Sequence, residues 1–160
     1  MCTNYLIPSP NVATYDETPL MSAIDVTKQV KKCLENDFDF ILVNYANPDM
    51  LGHTGNMDAT VTSLRALDKI LQTVVESAQD NFYTVMITAD HGNCDIMIDD
   101  NGEIVTTHTT SPVPFILLDK KITLKEKGDL TNIAPTILKY MDIAIPKEMK
   151  ESKDLILEDV

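Results

Sequence analysis

Five side chains of the kinds that bind metal ions lie in three short polar segments of this sequence. All three histidines of the chain belong to the set, which consists of Asp49, His53, Asp90, His91 and His108. Carboxylate and imidazole together suit divalent ions of intermediate hardness, which favours Mn²⁺, Zn²⁺ or Fe²⁺ over Ca²⁺. Five ligands exceed one tetrahedral structural site. Two ions roughly 3.5 to 4 Å apart could share them and clamp the attacking and leaving oxygens of a phosphoryl transfer.

A second interpretation of these residues is that they form turns and helix caps, because Asp and Asn beside Gly commonly do so. Taken singly, Asp49 and His108 fit that interpretation better. Taken together with the other histidines, they favour a metal site. Cys94 is interpreted as a structural thiol, since Cys2, Cys33 and Cys94 have neither disulfide nor zinc-knuckle spacing.

The elements that would position these residues follow from the hydrophobic pattern. Three short runs rich in β-branched and aromatic residues, at 38–45, 82–88 and 113–118, predict buried parallel strands, and Pro114 indicates a strand start or edge in the third. The candidate ligands come after the first two runs and before the third. Because ligands bind at the carboxyl ends of strands in open α/β sheets, these segments are well placed for a site.

Apolar residues recur every three or four positions in three other stretches. Residues 61–78 predict a long crossover helix between the first two strands. Residues 26–34 predict a shorter helix with Ser22 and Asp25 as a capping box, and residues 130–138 predict a third helix. The sequence therefore predicts an α/β fold with helices on both faces of the sheet.

Two further segments carry no predicted ligand. Residues 95–107 predict a hairpin, whose acidic turn is interpreted as a hydrated surface feature. Residues 147–160 are charge-rich and predict a loosely packed tail.

Charge and hydropathy restrict the partners. The formal net charge of −12 argues against nucleic acid, whose backbone is bound by clustered Lys and Arg. Arg65 is the only arginine of the chain. A single guanidinium group is not enough to bind both the carboxylate and the phosphate of a small phosphorylated acid tightly. The apolar runs are too short to span a bilayer, and the N-terminus lacks the features of a secretory signal. We therefore expect a cytoplasmic protein without a membrane partner.

The candidate ligands lie in three longer motifs, residues 47–55 (NPDMLGHTG), 88–93 (TADHGN) and 108–114 (HTTSPVP). These motifs resemble segments of the cofactor-independent (2,3-bisphosphoglycerate-independent) phosphoglycerate mutases of the alkaline phosphatase superfamily. Residues 9–16 (SPNVATYD) and 128–136 (GDLTNIAPT) also look like segments of that family, so that the resemblance covers nearly the whole chain. Asn11 stands where a lysine is expected in the family.

The resemblance implies an incomplete three-layer αβα alkaline-phosphatase-like sheet. Residues 1–160 would form a single domain, the C-terminal portion of the metal-binding phosphatase-like domain, without its N-terminal strands or the inserted transferase domain. Asp49, His53 and His108 would hold one metal ion, usually manganese, and Asp90 and His91 a second. The remaining ligands of the second ion, an N-terminal aspartate and the serine that becomes phosphorylated, have no counterpart in this sequence.

The function implied for the full-length enzyme is interconversion of 3-phosphoglycerate and 2-phosphoglycerate through a phosphoserine, by a monomer with two manganese ions. The chain alone is expected to be inactive, because it lacks the nucleophile. Two alternatives stay open. One is a metal-dependent phosphatase that uses a metal-bound hydroxide, and the other is a non-catalytic metal-binding or interaction module that completes another chain's sheet.

Overall fold

The structure, a computed structural model, describes residues 2–149 and 151–157. It divides into two compact units, Met1–Ile116 and Leu117–Val160. All five candidate ligands belong to the first unit.

Two helices form most of the framework of the first unit. α1 spans Ala23–Leu34 and α3 spans Met57–Asp80, as the apolar periodicity predicts. Between them lies the short helix α2, Asn47–Gly52, which was not predicted because its six residues are too few to show a period. A 3₁₀ turn at Tyr15–Glu17 precedes α1.

The start of α1 differs from the prediction. Ser22 is the N-cap residue, but its side chain makes no capping hydrogen bond. Its Oγ instead donates to the carbonyl of Pro8 at 2.7 Å. The predicted capping box with Asp25 is therefore wrong, because a bond to a distant part of the chain has taken the hydroxyl that a local cap would use.

The hydrophobic core of the first unit lies where α1 meets α3. It contains Val30 and Leu34 of α1 and Val74 and Ala78 of α3, all of them buried. Valine and leucine side chains each stabilise a fold by about 1.5 to 3 kcal/mol when fully buried. This packing holds the long helix that leads away from α2.

The segment 38–45 does not form the predicted strand. Ile41 and Val43 pack against the helical core, while Leu42 between them is 85% exposed. The burial therefore alternates as in a strand, but the described residues offer this segment no ladder partner. The prediction fails because a strand needs a neighbouring backbone as well as a suitable pattern.

The sheet consists of two short strands among the described residues. β1 is Met86–Thr88 and β2 is Phe115–Leu117, and the two are hydrogen-bonded neighbours. Both lie inside the predicted runs 82–88 and 113–118. The fold class is α/β, as predicted, with a sheet of two strands of three residues each among the described residues.

The predicted hairpin between β1 and β2 is present. Ile98 and Ile104 form an antiparallel bridge, and the N–H of Gly102 donates to the carbonyl of Asp99 at 3.0 Å. Gly102 has a φ of 83°, a conformation that favours glycine in tight turns. Hydrogen bonds from the backbone hold the pKa of Asp99 below its usual value, so that this carboxylate stabilises the turn.

The second unit contains α4, Ile133–Tyr140, which was predicted, with 3₁₀ turns at Leu130–Asn132 and Lys147–Met149. The expected loose tail is wrong for residues 151–157. Leu155 is buried, its carbonyl accepts from the N–H of Lys125 at 2.8 Å, and Leu124 bridges Ile156. The buried Leu155 and these backbone contacts together hold the charge-rich segment in place. Residues 150 and 158–160 lie outside the described residues.

Candidate metal centre

Asp49 and His53 lie on one face of the local helix, because four residues are close to one helical turn. Pro48 occupies the first turn of α2, where the missing N–H of proline removes no helical bond. His53 is the C-cap residue, and its N–H donates to the carbonyl of Asp49 at 3.1 Å. The two side chains meet, with His53 Nε2 3.2 Å from Asp49 Oδ1.

His108 comes from a segment distant in the sequence, and its side chain also lies beside Asp49. The N–H of Thr109 donates to the carbonyl of Gly92 at 2.9 Å, and these two residues form an antiparallel bridge. The Nε2 atom of His108 lies 3.1 Å from Asp49 Oδ1 and 3.1 Å from His53 Nε2. The structure therefore brings together the three residues of the first predicted site.

The ring of His53 is oriented by the backbone. Its Nδ1 lies 2.7 Å from the carbonyl oxygen of Thr106. Because a carbonyl oxygen only accepts, Nδ1 must carry the proton in this contact, and the lone pair of a neutral ring is then on Nε2. Nε2 is the atom that faces Asp49 and His108.

Of the second predicted pair, Asp90 and His91, only the histidine lies close to the first three ligands. His91 stacks on His108 with ring centroids 3.7 Å apart, and ligand atoms of Asp49, His91 and His108 lie within 4.8 Å of one another. Asp90 has a side chain that is 80% exposed, and its Oδ1 is 3.6 Å from His91 Nε2. His91 thus adjoins the first group, whereas Asp90 lies at its margin.

A carboxylate that was predicted as a surface residue supports the loop behind His108. Both oxygens of Asp95 accept from Thr109 Oγ1 at 3.0 Å. Hydrogen bonds from Ser111 and Thr109 hold the pKa of Asp95 below its usual value. A Cβ at Gly92 would lie 2.2 Å from Thr109 Oγ1, so only glycine allows this close approach.

Cys94 lies beside these residues. Burial raises the pKa of its thiol, and the carboxylates of Asp95 and Asp49 add to the effect. In the absence of a bound ion, the thiol is therefore favoured over the thiolate.

Two contributors to the site were not predicted from the sequence. The carbonyl of Thr106 orients His53, and the side chain of Asn93 donates to Asp49 Oδ1 at 2.8 Å. A backbone carbonyl carries no residue-type signal. Asn93 did have one, because it directly follows Asp90-His91-Gly92 in a segment that carries candidate ligands.

The three converging atoms fit a divalent cation. Asp49 Oδ1, His53 Nε2 and His108 Nε2 are 3.1 to 3.2 Å apart in every pairing. Ligand atoms about 2.1 Å from an octahedral ion lie about 3 Å from one another. One carboxylate and two imidazoles also form a donor set that such ions accept. The three side chains remain partly exposed, which leaves room for water or a substrate.

The chain matches known proteins along nearly its entire length. Residues 2–145 match the model of the metalloenzyme superfamily. The chain is 49% identical over 147 residues to a 2,3-bisphosphoglycerate-independent phosphoglycerate mutase of Mycoplasma genitalium, covering 92% of this chain and 29% of that protein. It is also 49% identical over 150 residues to the enzyme of the same name from Sulfurimonas denitrificans, covering 94% and 30%.

A solved structure shows the same relationship. The crystal structure of Leishmania mexicana phosphoglycerate mutase at low cobalt concentration matches with a TM-score of 0.82 and 28% identity. The match covers 96% of this chain and 31% of that one. The expected resemblance to the phosphoglycerate mutases is thus confirmed, as is the incomplete phosphatase-like α/β fold, and the chain spans about 30% of the length of these relatives. Since the family model matches residues 2–145, the chain belongs to the metalloenzyme superfamily.

Proposed function

We propose that this chain is the C-terminal, metal-binding part of a 2,3-bisphosphoglycerate-independent phosphoglycerate mutase. The complete enzyme would interconvert 3-phosphoglycerate and 2-phosphoglycerate through a phosphoserine at a two-manganese site, as a cytoplasmic monomer. Residues 1–160 would belong to its phosphatase-like domain and would bind metal without turning over substrate. The observation that carries the proposal is the convergence of Asp49, His53 and His108 in a chain that matches such mutases over about 30% of their length.

In this proposal Asp49, His53 and His108 hold one divalent ion, and Asp90 and His91 contribute to a second. A bound divalent ion supplies positive charge that stabilises the oxygens of a transferring phosphoryl group. Asp49 supplies the negative charge of the first site. The carbonyl of Thr106 keeps the Nδ1 proton of His53 away from the centre.

The missing functions are expected in the rest of the polypeptide. Arg65 is the only arginine of the chain, and it is exposed on α3. Firm recognition of a carboxylate and a phosphate usually needs guanidinium groups in the pocket. The substrate would therefore be bound mainly by residues outside this chain.

The serines of the chain offer no counterpart of the phosphorylated serine. None of them lies in the motif that the resemblance associates with that residue. Ser22 and Ser63 donate their hydroxyls to the backbone carbonyls of Pro8 and Pro19, and Ser63 is fully buried. These two hydroxyls are occupied in structural contacts.

A metal-dependent phosphatase is the second candidate, because the partly exposed ligands leave space for a water molecule at the same site. That activity would need no serine. It would need the same metal ligands.

One set of measurements separates these functions. The purified chain and its Asp49→Ala variant are titrated with Mn²⁺ by calorimetry, then assayed with 3-phosphoglycerate and with p-nitrophenyl phosphate. We expect the wild-type chain to bind Mn²⁺ and Asp49→Ala to bind it at least about tenfold more weakly. We expect neither protein to show mutase or phosphatase activity. Asp100→Ala, in the exposed acidic turn, is the matched control and should bind like the wild type.

Two results would contradict the proposal in different ways. Mutase activity in a preparation free of host enzyme would disprove the absence of a nucleophile. Hydrolysis of p-nitrophenyl phosphate that disappears in Asp49→Ala would favour the phosphatase.

A further inference from the structure

A buried amide stands directly behind the carboxylate of Asp49. Asn93 is only 6% exposed. Its Nδ2 donates to Asp49 Oδ1 at 2.8 Å and to the backbone carbonyl of the same residue at 3.2 Å. Asp49 Oδ1 is also the oxygen that the Nε2 atoms of His53 and His108 approach. The amide of Asn93 therefore donates a hydrogen bond to the same oxygen atom that both histidine nitrogens approach.

The other end of the amide is confined by a glycine. A Cβ at Gly52 would lie 2.2 Å from Asn93 Oδ1 and 2.7 Å from its Cγ. Gly52 lies on α2, three residues after Asp49, and its backbone needs no special conformation. What it provides is space for the amide of Asn93 against the helix that carries Asp49.

A contribution to folding stability does not by itself explain why an amide side chain is buried at position 93. Asn93 Oδ1 is buried and has no hydrogen-bond partner among the described residues. A buried, unpaired carbonyl oxygen costs stability. The amide cannot be turned round to relieve this, since its oxygen would then face the carboxylate and the carbonyl of Asp49, which are both acceptors.

We propose that Asn93 is a positioning residue of the metal site, which aims the carboxylate of Asp49 at the ion, and that Gly52 is required to admit it. This assignment rests on the proposed metal-binding function. Asp49 stands on a helix of six residues, its side chain is partly exposed, and Asn93 Nδ2 is the buried donor that contacts its Oδ1. A hydrogen bond from a buried donor holds one rotamer before the metal arrives, which lowers the entropy lost on binding. Because the donor is neutral, it leaves the charge of Asp49 available to the metal.

The test compares metal affinity and metal geometry in two independent variants. Asn93→Asp replaces the donor by an acceptor at nearly constant size. Gly52→Ala keeps every polar group and displaces the amide by its added methyl. Asn101→Asp, the same chemical change in the exposed hairpin turn, is the matched control. Each protein is titrated with Mn²⁺ by calorimetry and with Co²⁺ by visible absorption, and metal-free thermal unfolding identifies a temperature at which all are folded.

We expect Mn²⁺ affinity to fall about 10- to 100-fold in Asn93→Asp and also to fall in Gly52→Ala, as for other residues that orient ligands. The visible Co²⁺ spectrum should shift in both variants and stay unchanged in Asn101→Asp. Wild-type affinity and an unchanged spectrum in folded variants would overturn the assignment, even if their metal-free unfolding temperature were lowered.

A wild-type measurement keeps the proposal testable if either variant fails to fold. On titration with Zn²⁺, the side-chain amide signals of Asn93 should shift together with the ring signals of His53 and His108 in nuclear magnetic resonance spectra. Movement of the ring signals alone would overturn the role of Asn93. If neither set moved and Mn²⁺ did not bind, the proposed metal site would fail as a whole.

Discussion

The carboxylate of Asp49 is the point that the polar contacts of the candidate site share. Asn93 Nδ2, His108 Nε2 and His53 Nε2 lie 2.8, 3.1 and 3.2 Å from the same oxygen. The two imidazole nitrogens can each offer a lone pair to a cation, whereas the amide nitrogen of Asn93 can only donate a hydrogen bond. The difference in chemistry separates two candidate ligands from a positioning residue within one cluster of contacts.

The histidines and Asp90 should therefore contribute unequally to metal binding. His53→Ala removes one of three converging ligand atoms, so we expect Mn²⁺ affinity to fall by more than about tenfold. Asp90→Ala removes a carboxylate that is 80% exposed and that contacts only the margin of the group, so the affinity should change by less than about threefold. Calorimetry and metal analysis of the purified variants measure both. Equal losses in the two variants would instead indicate that Asp90 shares in the occupied site.

At the scale of elements, the N-terminus of α3 is stabilised by hydrogen bonds of one side chain. Asn56 is the N-cap residue of this 24-residue helix, and its Oδ1 accepts from the N–H of Ala59 at 3.1 Å. Its Nδ2 also donates to Asp16 at 3.0 Å. These bonds connect the segment after His53 to the long helix and to the 3₁₀ turn that precedes α1.

We expect Asn56→Ala to lower the free energy of unfolding by about 1 kcal/mol, because it leaves an N-terminal N–H of α3 without its partner. Asn56→Ser keeps an accepting side-chain oxygen at the N-cap without placing a second carboxylate beside Asp16, and it should retain most of the stability. Gln72→Ala, in the exposed middle of the same helix, should change the stability by less than about 0.5 kcal/mol. Urea denaturation followed by circular dichroism compares the three. An unchanged Asn56→Ala would mean that water replaces the cap without loss.

The elements that the sequence predicts best are those whose pattern is local. α1, α3 and α4 follow from apolar periodicity, and the hairpin follows from its turn residues. The segment 38–45 has an equally clear strand pattern but no strand, because a strand also needs a hydrogen-bonded neighbour, which a local pattern does not specify. The cap of α1 fails for a related reason, since the carbonyl of Pro8 competes for the hydroxyl of Ser22.

Over the whole molecule the formal net charge is −12, and carboxyl groups whose pKa differs between the folded and the unfolded state link stability to pH. Two carboxylates of the second unit, Asp119 and Asp129, accept hydrogen bonds within that unit. The N–H of Lys121 and the hydroxyl of Tyr140 donate to Asp119. These two hydrogen bonds hold the pKa of Asp119 below its ordinary value of 3.8, and those from Thr131 do the same for the pKa of Asp129.

This direction determines the pH dependence. A carboxyl whose pKa is lower in the folded than in the unfolded state stabilises the fold fully above the unfolded value of 3.8. That stability is lost as the pH falls from there through the lowered folded pKa. Urea denaturation of the metal-free chain between pH 7 and pH 3 should show the loss. A double variant, Asp119→Asn with Asp129→Asn, should be less stable at pH 7 and should have a flatter dependence below about pH 4. A parallel curve for wild type and variant would contradict the role of these carboxyls.

No helix among the described residues is both long and apolar enough to cross a bilayer. A cavity of about 600 Å³ is lined by the N-terminal residues 3–9, by α1 and by residues 38–47, and none of the five candidate ligands lines it. The candidate metal centre is instead a shallow surface group. Its geometry depends on α2 and on the loop behind the hairpin.

The sequence by itself determined which residues could bind metal and which local elements would carry them. Asp49 and His53 share a face because helical spacing is a property of neighbouring residues, and the motifs around Asp90 and His108 carried the family resemblance. The tertiary structure alone decided that His108 completes the group with Asp49 and His53, that His91 adjoins it while Asp90 stays at its margin, and that Asn93 grips Asp49. The contacts of His108 with Asp49 and His53, and that of Asn93 with Asp49, join residues 44 to 59 positions apart in the sequence, and His91 stacks on a ring 17 positions away. Such closures depend on the packing of the whole chain.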